Sequence, residues 1–324
     1  MNVLVVGSAL FDAIVSLENN THISLDNGRA SFSLGDKIPV DVKAFSIGGN
    51  ATNVASSLNK LGVQNALYTY LGRDALSEFV SHQLEREGLN AYIETTDAKN
   101  GPLSLIFDFI EDRTIFSHHP ECTHGFDHEK IPHKPDYIFL TSIGVRWENA
   151  YEKVLSYALQ QNIPVAFSPG SQQMKNMNEV FIKTMHQSKM LFCNMEEAKL
   201  INQTLTGSTI EDTKELLLTL KNNGFDVISV TDGKNGAYAV DGNNTVLRID
   251  TTQPEGHEKT GAGDAYAGAF MAAYAKGQEI SECMKWGVLN AVGVMGKIGA
   301  HTGQLTISEM TERGRAITLS AQPI

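Results

Sequence analysis

The chain has 324 residues, 42% of them hydrophobic, and its 37 acidic against 26 basic residues give a formal net charge of −11. Nucleic acids and anionic membrane surfaces attract concentrated positive charge. We therefore expect neither as a partner of this acidic chain, which has no Lys or Arg cluster. A chain of this length can form one large domain or two, and we expect a single domain over residues 1–324 with inserted segments.

The cysteines and the first residues bear on the compartment. Cys122, Cys193 and Cys283 have spacings that suit neither a zinc site nor a disulfide framework. The chain begins with the strand-like run 3–7, without a signal-peptide pattern, and has no apolar run long enough to cross a bilayer. We expect a cytoplasmic protein. Histidines at 118, 119, 124, 128 and 133 match no metal-ligand spacing and are interrupted by prolines, so we expect them on a solvated surface.

Strand and helix patterns alternate along the chain. Strands are predicted at 3–8, 67–71, 137–141, 165–168, 190–193 and 227–231, and helices near 52–61, 75–87, 149–161, 195–203 and 212–223. This alternation predicts an α/β fold, a doubly wound and mostly parallel sheet flanked by helices. Ligands on such a sheet bind at the carboxyl ends of the strands. Segments at about 14–45 and 101–118 break the alternation and indicate additional β structure.

The segment Thr260-Gly261-Ala262-Gly263-Asp264 opens an apolar, Ala-rich helix. The first N–H groups of a helix lack partners and carry the positive end of its dipole, and small residues let a phosphate approach them. Asp264 then has two interpretations. It accepts the proton of a hydroxyl that attacks the phosphate, or it is an acidic residue that favours the helix N-terminus.

A Gly pair followed by two Asn residues forms a second motif, Gly48-Gly49-Asn50-Ala51-Thr52-Asn53. If a helix begins near residue 51, Asn50 and Asn53 face the same cleft, because residues three apart are neighbours on a helix. Their amides offer donors and acceptors together, which suits a polyhydroxylated ligand. The alternative is a loop with an Asn cap.

Two further motifs follow predicted strands. Thr231, Gly233 and Gly236 lie in a Thr-Asp-Gly-Lys-Asn-Gly segment, which is either a hairpin turn or a loop whose hydroxyl and amides meet phosphates. Asn194 and Glu197 begin a helix and form either a magnesium site or a capping box of the Asn-x-x-Glu type. The residues alone leave both pairs of interpretations open.

These four motifs, in their order along the chain, resemble those of the ribokinase-like (PfkB) family of carbohydrate kinases over residues 1 to about 305. The resemblance implies an enzyme that transfers the γ-phosphoryl group of ATP, with Mg²⁺, to a hydroxyl of a sugar or related polyol, with a nucleoside as the alternative acceptor. It also implies that the β segments form a lid, whose closure expels water from the site. A homodimer through the lid is consistent with this resemblance.

The resemblance assigns roles to the motif residues. Asp264 becomes the base, and the amides of Gly261, Ala262 and Gly263 hold the transferring phosphoryl group. Asn194 and Glu197 orient Mg²⁺ and its waters, and Asn194 also lies at the nucleotide. The nucleotide phosphates are assigned to Thr231, Gly233 and Gly236, and the acceptor to Asp12, Gly48, Gly49, Asn50 and Asn53.

One departure from the family pattern concerns a monovalent cation. Glu258-Lys259 stand where the family has Asp-Thr, and that Asp helps hold an activating potassium ion in some members, so activation by potassium stays open. Two other classes of protein fit less well. A dinucleotide-binding dehydrogenase needs Gly or Ala where Tyr266 stands, and a non-catalytic sugar-binding relative predicts loss of the acid that is retained at Asp264.

Overall fold

The computed structural model describes residues 1–17, 23–26, 29–109, 113–252 and 260–324. Its strands are β1 (Asn2–Val6), β2 (Leu10–Ser16), β3 (Ile23–Asp26), β4 (Arg29–Phe32), β5 (Asp41–Gly48), β6 (Gln64–Leu71), β7 (Ala91–Thr95), β8 (Leu103–Asp108), β9 (Arg113–His118), β10 (Tyr137–Thr141), β11 (Val165–Ser168), β12 (Met190–Asn194), β13 (Val227–Thr231), β14 (Ala237–Val240), β15 (Val246–Ile249) and β16 (Gln322–Pro323). Its helices are α1 (Asn50–Lys60), α2 (Ala75–Arg86), α3 (Glu148–Gln161), α4 (Ser171–Lys175), α5 (Glu179–Gln187), α6 (Met195–Thr206), α7 (Thr213–Lys221), α8 (Ala262–Ala275), α9 (Ile280–Met295) and α10 (Ile307–Ala316).

Within the described ranges, ten strands form one large sheet in the order β16-β15-β14-β13-β12-β11-β10-β1-β6-β7. In this sheet order, the seven strands at the β7 end, as far as β13, pair in parallel. Strands β14, β15 and β16 extend the sheet in antiparallel fashion. The predicted strands 137–141, 165–168 and 227–231 are confirmed to the residue. The alternating pattern therefore identified the parallel part of the sheet except β7, which was not predicted.

Helices cover both faces of this sheet, because its central strands carry apolar residues on both sides. Val3 and Val5 of β1 belong to a core that includes α1, α2, α8 and α9. Leu4 and Val6 point the other way, into a core that includes α3, α5, α6 and α7. No helix in the described ranges is long and apolar enough to cross a membrane.

A smaller sheet in the order β5-β2-β8-β9 and a hairpin of β3 with β4 account for the two predicted β segments. The first strand of the small sheet begins at Leu10, four residues before the predicted segment, and the prediction missed this because residues 10–13 continue the apolar pattern of β1. Strand alternation places Phe11 against Phe79 of α2, with ring centroids 5.2 Å apart, and directs Asp12 to the opposite face.

The expectation of a solvated histidine segment is wrong for His124. Its ring is 4% exposed and packs edge-on against Tyr70, with ring centroids 4.8 Å apart. Glu94 holds the same loop through hydrogen bonds from Tyr68 Oη (2.6 Å) and the N–H of Gly125 (2.8 Å). Within the described ranges, no group of three or more His, Cys, Asp or Glu residues could hold a metal ion.

Helices α1 and α8 approach closely because their facing residues are small. A Cβ atom added to Gly268 of α8 would lie 2.6 Å from the Cβ of Ser57 in α1. Asn290 of α9 is fully buried and donates to Ser57 Oγ (3.1 Å) and to the carbonyl of Ala265 (2.9 Å). The carbonyl of Ala265 lies in the first turn of α8, so this side chain ties three helices together.

We expect Gly268→Ala to lower the free energy of unfolding by ~1–3 kcal/mol, since the new methyl group overpacks the contact between α1 and α8. Gly314→Ala is the matched control, because a Cβ at Gly314 of α10 meets nothing nearer than 3.9 Å. That control should gain up to ~1 kcal/mol from helix propensity. Urea denaturation curves with unchanged m-values measure both, and equal effects at the two positions would contradict the close packing.

Candidate active site

The motifs lie at the carboxyl edge of the parallel sheet: Gly49 packs against Ser8, after β1, and the paired strands β12 and β13 end at Asn194 and Thr231. Just after β1, the N–H of Gly7 donates to the carbonyl of Tyr68 in β6 over 3.1 Å. The N–H of Ser8 donates to the carbonyl of Ser142, just after β10, over 2.7 Å. Successive strands are added to the sheet from β1 to β6 and β7 on one side, and then from β10 to β13 on the other. A doubly wound sheet opens a ligand crevice where the direction of strand addition reverses.

The N-terminus of α8 has the conformation that the small residues predict. Gly261 precedes the helix in the left-handed region, with φ +77°, and an added methyl group would overlap the carbonyl of Ala300. Among the described residues, no side chain caps this helix. Gly263 is exposed, and its Cβ position meets open space. The first amides of α8 are therefore accessible to an anion.

The carboxylate of Asp264 receives both Asn side chains of the second motif. Asn50 Nδ2 donates to Oδ1 over 2.9 Å, and Asn53 Nδ2 donates to Oδ2 over 2.9 Å. Helix α1 begins at Asn50, within one residue of the predicted start, so the two amides lie on one face as expected. Sequence reasoning missed that this face meets Asp264, which lies more than two hundred residues away in the chain.

Burial raises the pKa of Asp264 to about 6, and the hydrogen bonds from Asn53 and Asn50 act in the opposite direction. The residue nevertheless keeps partial exposure to solvent. A carboxylate with such a pKa is mostly ionised at neutral pH and remains a stronger base than an exposed Asp.

The Gly pair brings backbone close to both β1 and Asp12. Gly49 adopts φ +100°, and a side chain there would overlap the carbonyl of Ser8. A methyl group at Gly48 would overlap the carboxylate of Asp12, which is 3% exposed. Asp12 also pairs across the small sheet with Ser46 and Ser104. The chain therefore places a buried carboxylate in a hydroxyl-bearing row near the start of α1.

The Asn-x-x-Glu motif forms the reciprocal capping box at the start of α6. The N–H of Asn194 donates to Glu197 Oε2, and the N–H of Glu197 donates to Asn194 Oδ1, both over 2.9 Å. Burial raises the pKa of Glu197, and the charge of Asp264 contributes in the same direction. Two mutually repelling carboxylates favour a cation, and Glu197 Oε1 is not used by the capping box. These residues therefore fit Mg²⁺ as an oxygen-ligated ion.

A cavity of about 830 Å³ joins the remaining motifs. The predicted residues in its wall are Asn194, Thr231, Gly233, Gly236, Ala262 and Gly263. The hairpin interpretation also holds, because β13 pairs with β14 across the same turn. The volume of the cavity lies in the range of small-molecule binding sites.

Sequence reasoning missed other residues in the wall of this cavity. They are Lys234, Ala237, Thr251, Thr252, Tyr266, Val288, Ala291 and Met295. Lys234 had a local signal, a cation between two glycines of a turn. The residues of α9 had none, since an apolar helix face that lines a cavity has the same pattern as one that packs in a core. Glu258 and Lys259, on which the potassium question depends, lie outside the described residues.

Comparisons with known proteins identify the family and the fold. The model of the pfkB family carbohydrate kinases matches residues 3–307. A cytidine kinase of Thermococcus kodakarensis is 26% identical over 78% of this chain and 88% of its own length. A 5-dehydro-2-deoxygluconokinase of Bacillus subtilis is 22% identical over 82% of this chain and 86% of its own length. The crystal structure of ribokinase from Thermotoga maritima superposes with a TM-score of 0.75 at 18% identity, covering 97% of this chain and 99% of that one. The expected fold is thereby confirmed.

The raised pKa of Asp264 predicts a pH-dependent cost in stability. The pKa is about 6 in the folded chain and ~3.9 in an unfolded one, so the folded state binds the proton more tightly. This residue therefore destabilises the fold progressively as pH rises from ~4 to ~6. We expect Asp264→Asn to gain ~1–3 kcal/mol relative to the parent chain between pH 4 and pH 7.

Urea denaturation at a series of pH values measures this gain, and Asp97→Asn, at an exposed Asp, is the control. A stability difference between Asp264→Asn and the parent that is constant across this pH window would contradict the raised pKa.

Proposed function

The chain belongs to the pfkB family of carbohydrate kinases and is a sugar or nucleoside kinase, and we propose that it transfers the γ-phosphoryl group of ATP to a hydroxyl of a sugar or related polyol. The observation that carries this proposal is the position of Asp264. It lies one residue beyond the amides that line the large cavity, and its carboxylate bonds the Asn residues that lead towards Asp12. A base in this position can serve a hydroxyl on one side and a phosphoryl group on the other.

Asp264 would accept the proton of the acceptor hydroxyl as that oxygen attacks phosphorus. Its pKa of about 6 suits the task, because the group is ionised at neutral pH and still binds a proton readily. The amides of Gly261, Ala262 and Gly263, at the positive end of α8, would stabilise charge on the phosphoryl oxygens as the bond to the leaving group breaks.

The large cavity is the proposed nucleotide site. Thr231, Gly233 and Gly236 would meet the phosphates with a hydroxyl and backbone amides, and Lys234 would add a positive charge. Val288 and Met295 of α9 provide an apolar wall that suits a purine ring. Bound Mg²⁺ would offset the charge of the phosphates. Glu197 and Asn194 would hold it and its waters, with the carboxylate oxygen that the capping box leaves unused.

The proposed acceptor site contains Asp12, Gly48, Gly49, Asn50 and Asn53. The serines that flank Asp12 across the small sheet supply hydroxyl groups on the same row, which supports a hydroxyl-rich ligand. A nucleoside is the second candidate, and the match to a cytidine kinase favours it.

The small sheet is the proposed lid of a single catalytic domain. Its side chains Phe45, Leu105 and Phe116 are 60%, 42% and 53% exposed, and such an apolar surface is compatible with a homodimer through the lid. The three cysteines are unpaired and buried, in keeping with a proposed cytoplasmic location.

The proposal is tested by ADP release with a panel of sugars, polyols and nucleosides in the presence of ATP and Mg²⁺. We expect one acceptor class to stimulate release. With that acceptor, Asp264→Asn should lower kcat by ~10²–10⁴, the usual effect of losing a general base, while the Kd for ATP stays within a few-fold. Near-normal turnover in Asp264→Asn would remove this residue from the mechanism, and a parent chain that turns over no member of the panel would contradict the proposed reaction.

A second experiment separates magnesium binding from helix capping. In Glu197→Gln the amide oxygen can still accept from the N–H of Asn194, so the box persists while the negative charge is lost. We expect the Mg²⁺ concentration for half-maximal activity to rise several-fold with little change in Tm. Glu309→Gln is the matched control, because Thr306 and Glu309 form the same box at the start of α10. An unchanged Mg²⁺ dependence in Glu197→Gln would mean that Glu197 is only part of a cap, worth ~0.5–2 kcal/mol, which the amide oxygen of Gln preserves.

A further inference from the structure

The side-chain amides of Asn50 and Asn53 both donate to the carboxylate of Asp264. We propose that Asn50 and Asn53 are positioning residues for the base: together, as an amide clamp, they fix the plane of the Asp264 carboxylate and hold it in the charged form. This inference rests on the proposed role of Asp264 and adds to it, because both Asn residues otherwise count only as ligands of the acceptor.

The geometry of the amide clamp fixes the carboxylate in two directions. Each oxygen of Asp264 accepts one N–H, from Asn50 at Oδ1 and from Asn53 at Oδ2, both over 2.9 Å. An ionised carboxylate only accepts, so each Asn must present its nitrogen. Rotation of the carboxylate about its Cβ–Cγ bond would break both bonds at once. Among the described residues, each oxygen is given one such bond, so a further lone pair can accept a proton from a hydroxyl.

Further hydrogen bonds fix the backbone of the helices that carry the amide clamp. Gln304 Nε2 donates to the carbonyl of Asn53 over 2.7 Å, and both side chains are buried. Asn290 joins Ser57 of α1 to the carbonyl of Ala265, the residue after the base. The donors and the acceptor therefore belong to helices that cannot separate independently, and a fixed distance between them is what preorganised catalysis needs.

The oxygen of the Asn53 amide makes no hydrogen bond to the described residues. This atom, Oδ1, is buried. A buried acceptor without a partner is costly, and a hydroxyl of the bound acceptor would satisfy it. Asn53 can thus contact the base through nitrogen and the acceptor through oxygen at the same time.

The amide clamp acts against burial. Burial raises the pKa of Asp264, and hydrogen bonds from both Asn residues lower it. The acid that couples to it from a neighbouring element is Glu197 of α6. Of the elements packed against α8, β12 carries no charged residue and α1 carries only Lys60, at its far end. Helix α9 carries Glu282 and Lys285 in its first two turns, N-terminal to Asn290, which contacts the first turn of α8. Loss of either amide should therefore raise the pKa of the base and leave less of it ionised at neutral pH.

The test measures this pKa directly, without turnover. The ¹³Cγ signals of labelled aspartate are titrated in the parent chain, Asn50→Ala, Asn53→Ala and the control Asn59→Ala, which removes an exposed Asn at the other end of α1. Asp264 is assigned by the signal that Asp264→Asn lacks. We expect the midpoint of Asp264 to rise by ~0.5–1 pH in each clamp variant, the equivalent of one hydrogen bond, and to stay unchanged in Asn59→Ala.

Steady-state kinetics across pH supply the second readout. In Asn50→Ala and Asn53→Ala, the midpoint of the acidic limb of the kcat–pH profile should shift to higher pH by the same amount as the carboxyl titration. Asn50→Leu and Asn53→Leu replace the two alanine variants if those do not fold, since leucine is close to Asn in volume and has no donor. An unchanged Asp264 titration in folded variants at both positions, with only the acceptor KM raised, would overturn the amide clamp and leave the Asn residues as ligands.

Failure of the proposed function has a different signature. If Asp264 is not the base, its carboxyl midpoint still rises in the clamp variants, while turnover of Asp264→Asn stays near normal and the acidic limb of kcat does not follow the titration. That result would overturn the positioning role in catalysis, although the hydrogen bonds themselves remain. Agreement of the two pH dependences supports both the base and the amide clamp.

Discussion

The contact between α1 and α8 is the constraint on which the candidate site depends. Small residues at the contact let the helices approach until Gly268 has no room for a side chain beside Ser57. This approach brings the first turns of both helices together, so the side-chain amides of Asn50 and Asn53 in α1 reach the carboxylate of Asp264 in α8. A wider spacing would leave Asp264 buried without its two donors, and an unpaired buried carboxylate is far more costly than a hydrogen-bonded one. The packing of the same two helices therefore sets the geometry of the candidate site.

Asp264 shows how a site is maintained at a cost to the fold. Burial raises its pKa to about 6, and a chain selected for stability alone would replace it with a neutral residue. The positive end of α8 and the two Asn amides reduce that cost without removing it. They leave the carboxylate ionised at neutral pH but readily protonated, which is the compromise that a general base requires. The same reasoning applies to Glu197, whose raised pKa is partly due to Asp264.

The sequence was sufficient for elements that depend on local pattern. Strands 137–141, 165–168 and 227–231 were predicted to the residue, because apolar runs bounded by turns are a strong signal. Contacts between distant segments were not predictable: nothing near Asn53 indicates Asp264, and nothing near His124 indicates the aromatic ring that covers it. Helix α9 was missed as a cavity wall because the apolar periodicity of Val288 and Met295 is the same for a core helix. The general fold thus followed from periodicity, whereas the partners within the site followed only from tertiary packing.

Capping and ligand binding are not exclusive alternatives in this molecule, although the residues alone pose them that way. Among the described residues, Asn194 with Glu197 and Thr306 with Glu309 form capping boxes with the same reciprocal side-chain bonds. Hydrogen bonds from Thr306 lower the pKa of Glu309, which lies exposed, whereas burial raises that of Glu197. The motif is the same and the electrostatics are opposite, since only the box on α6 faces the crevice at the carboxyl end of the sheet. Helices that follow parallel strands all begin at this edge and need caps there. A ligand site can therefore be built from caps, and burial of the capping acid distinguishes the box that can serve a cation from the one that only begins a helix.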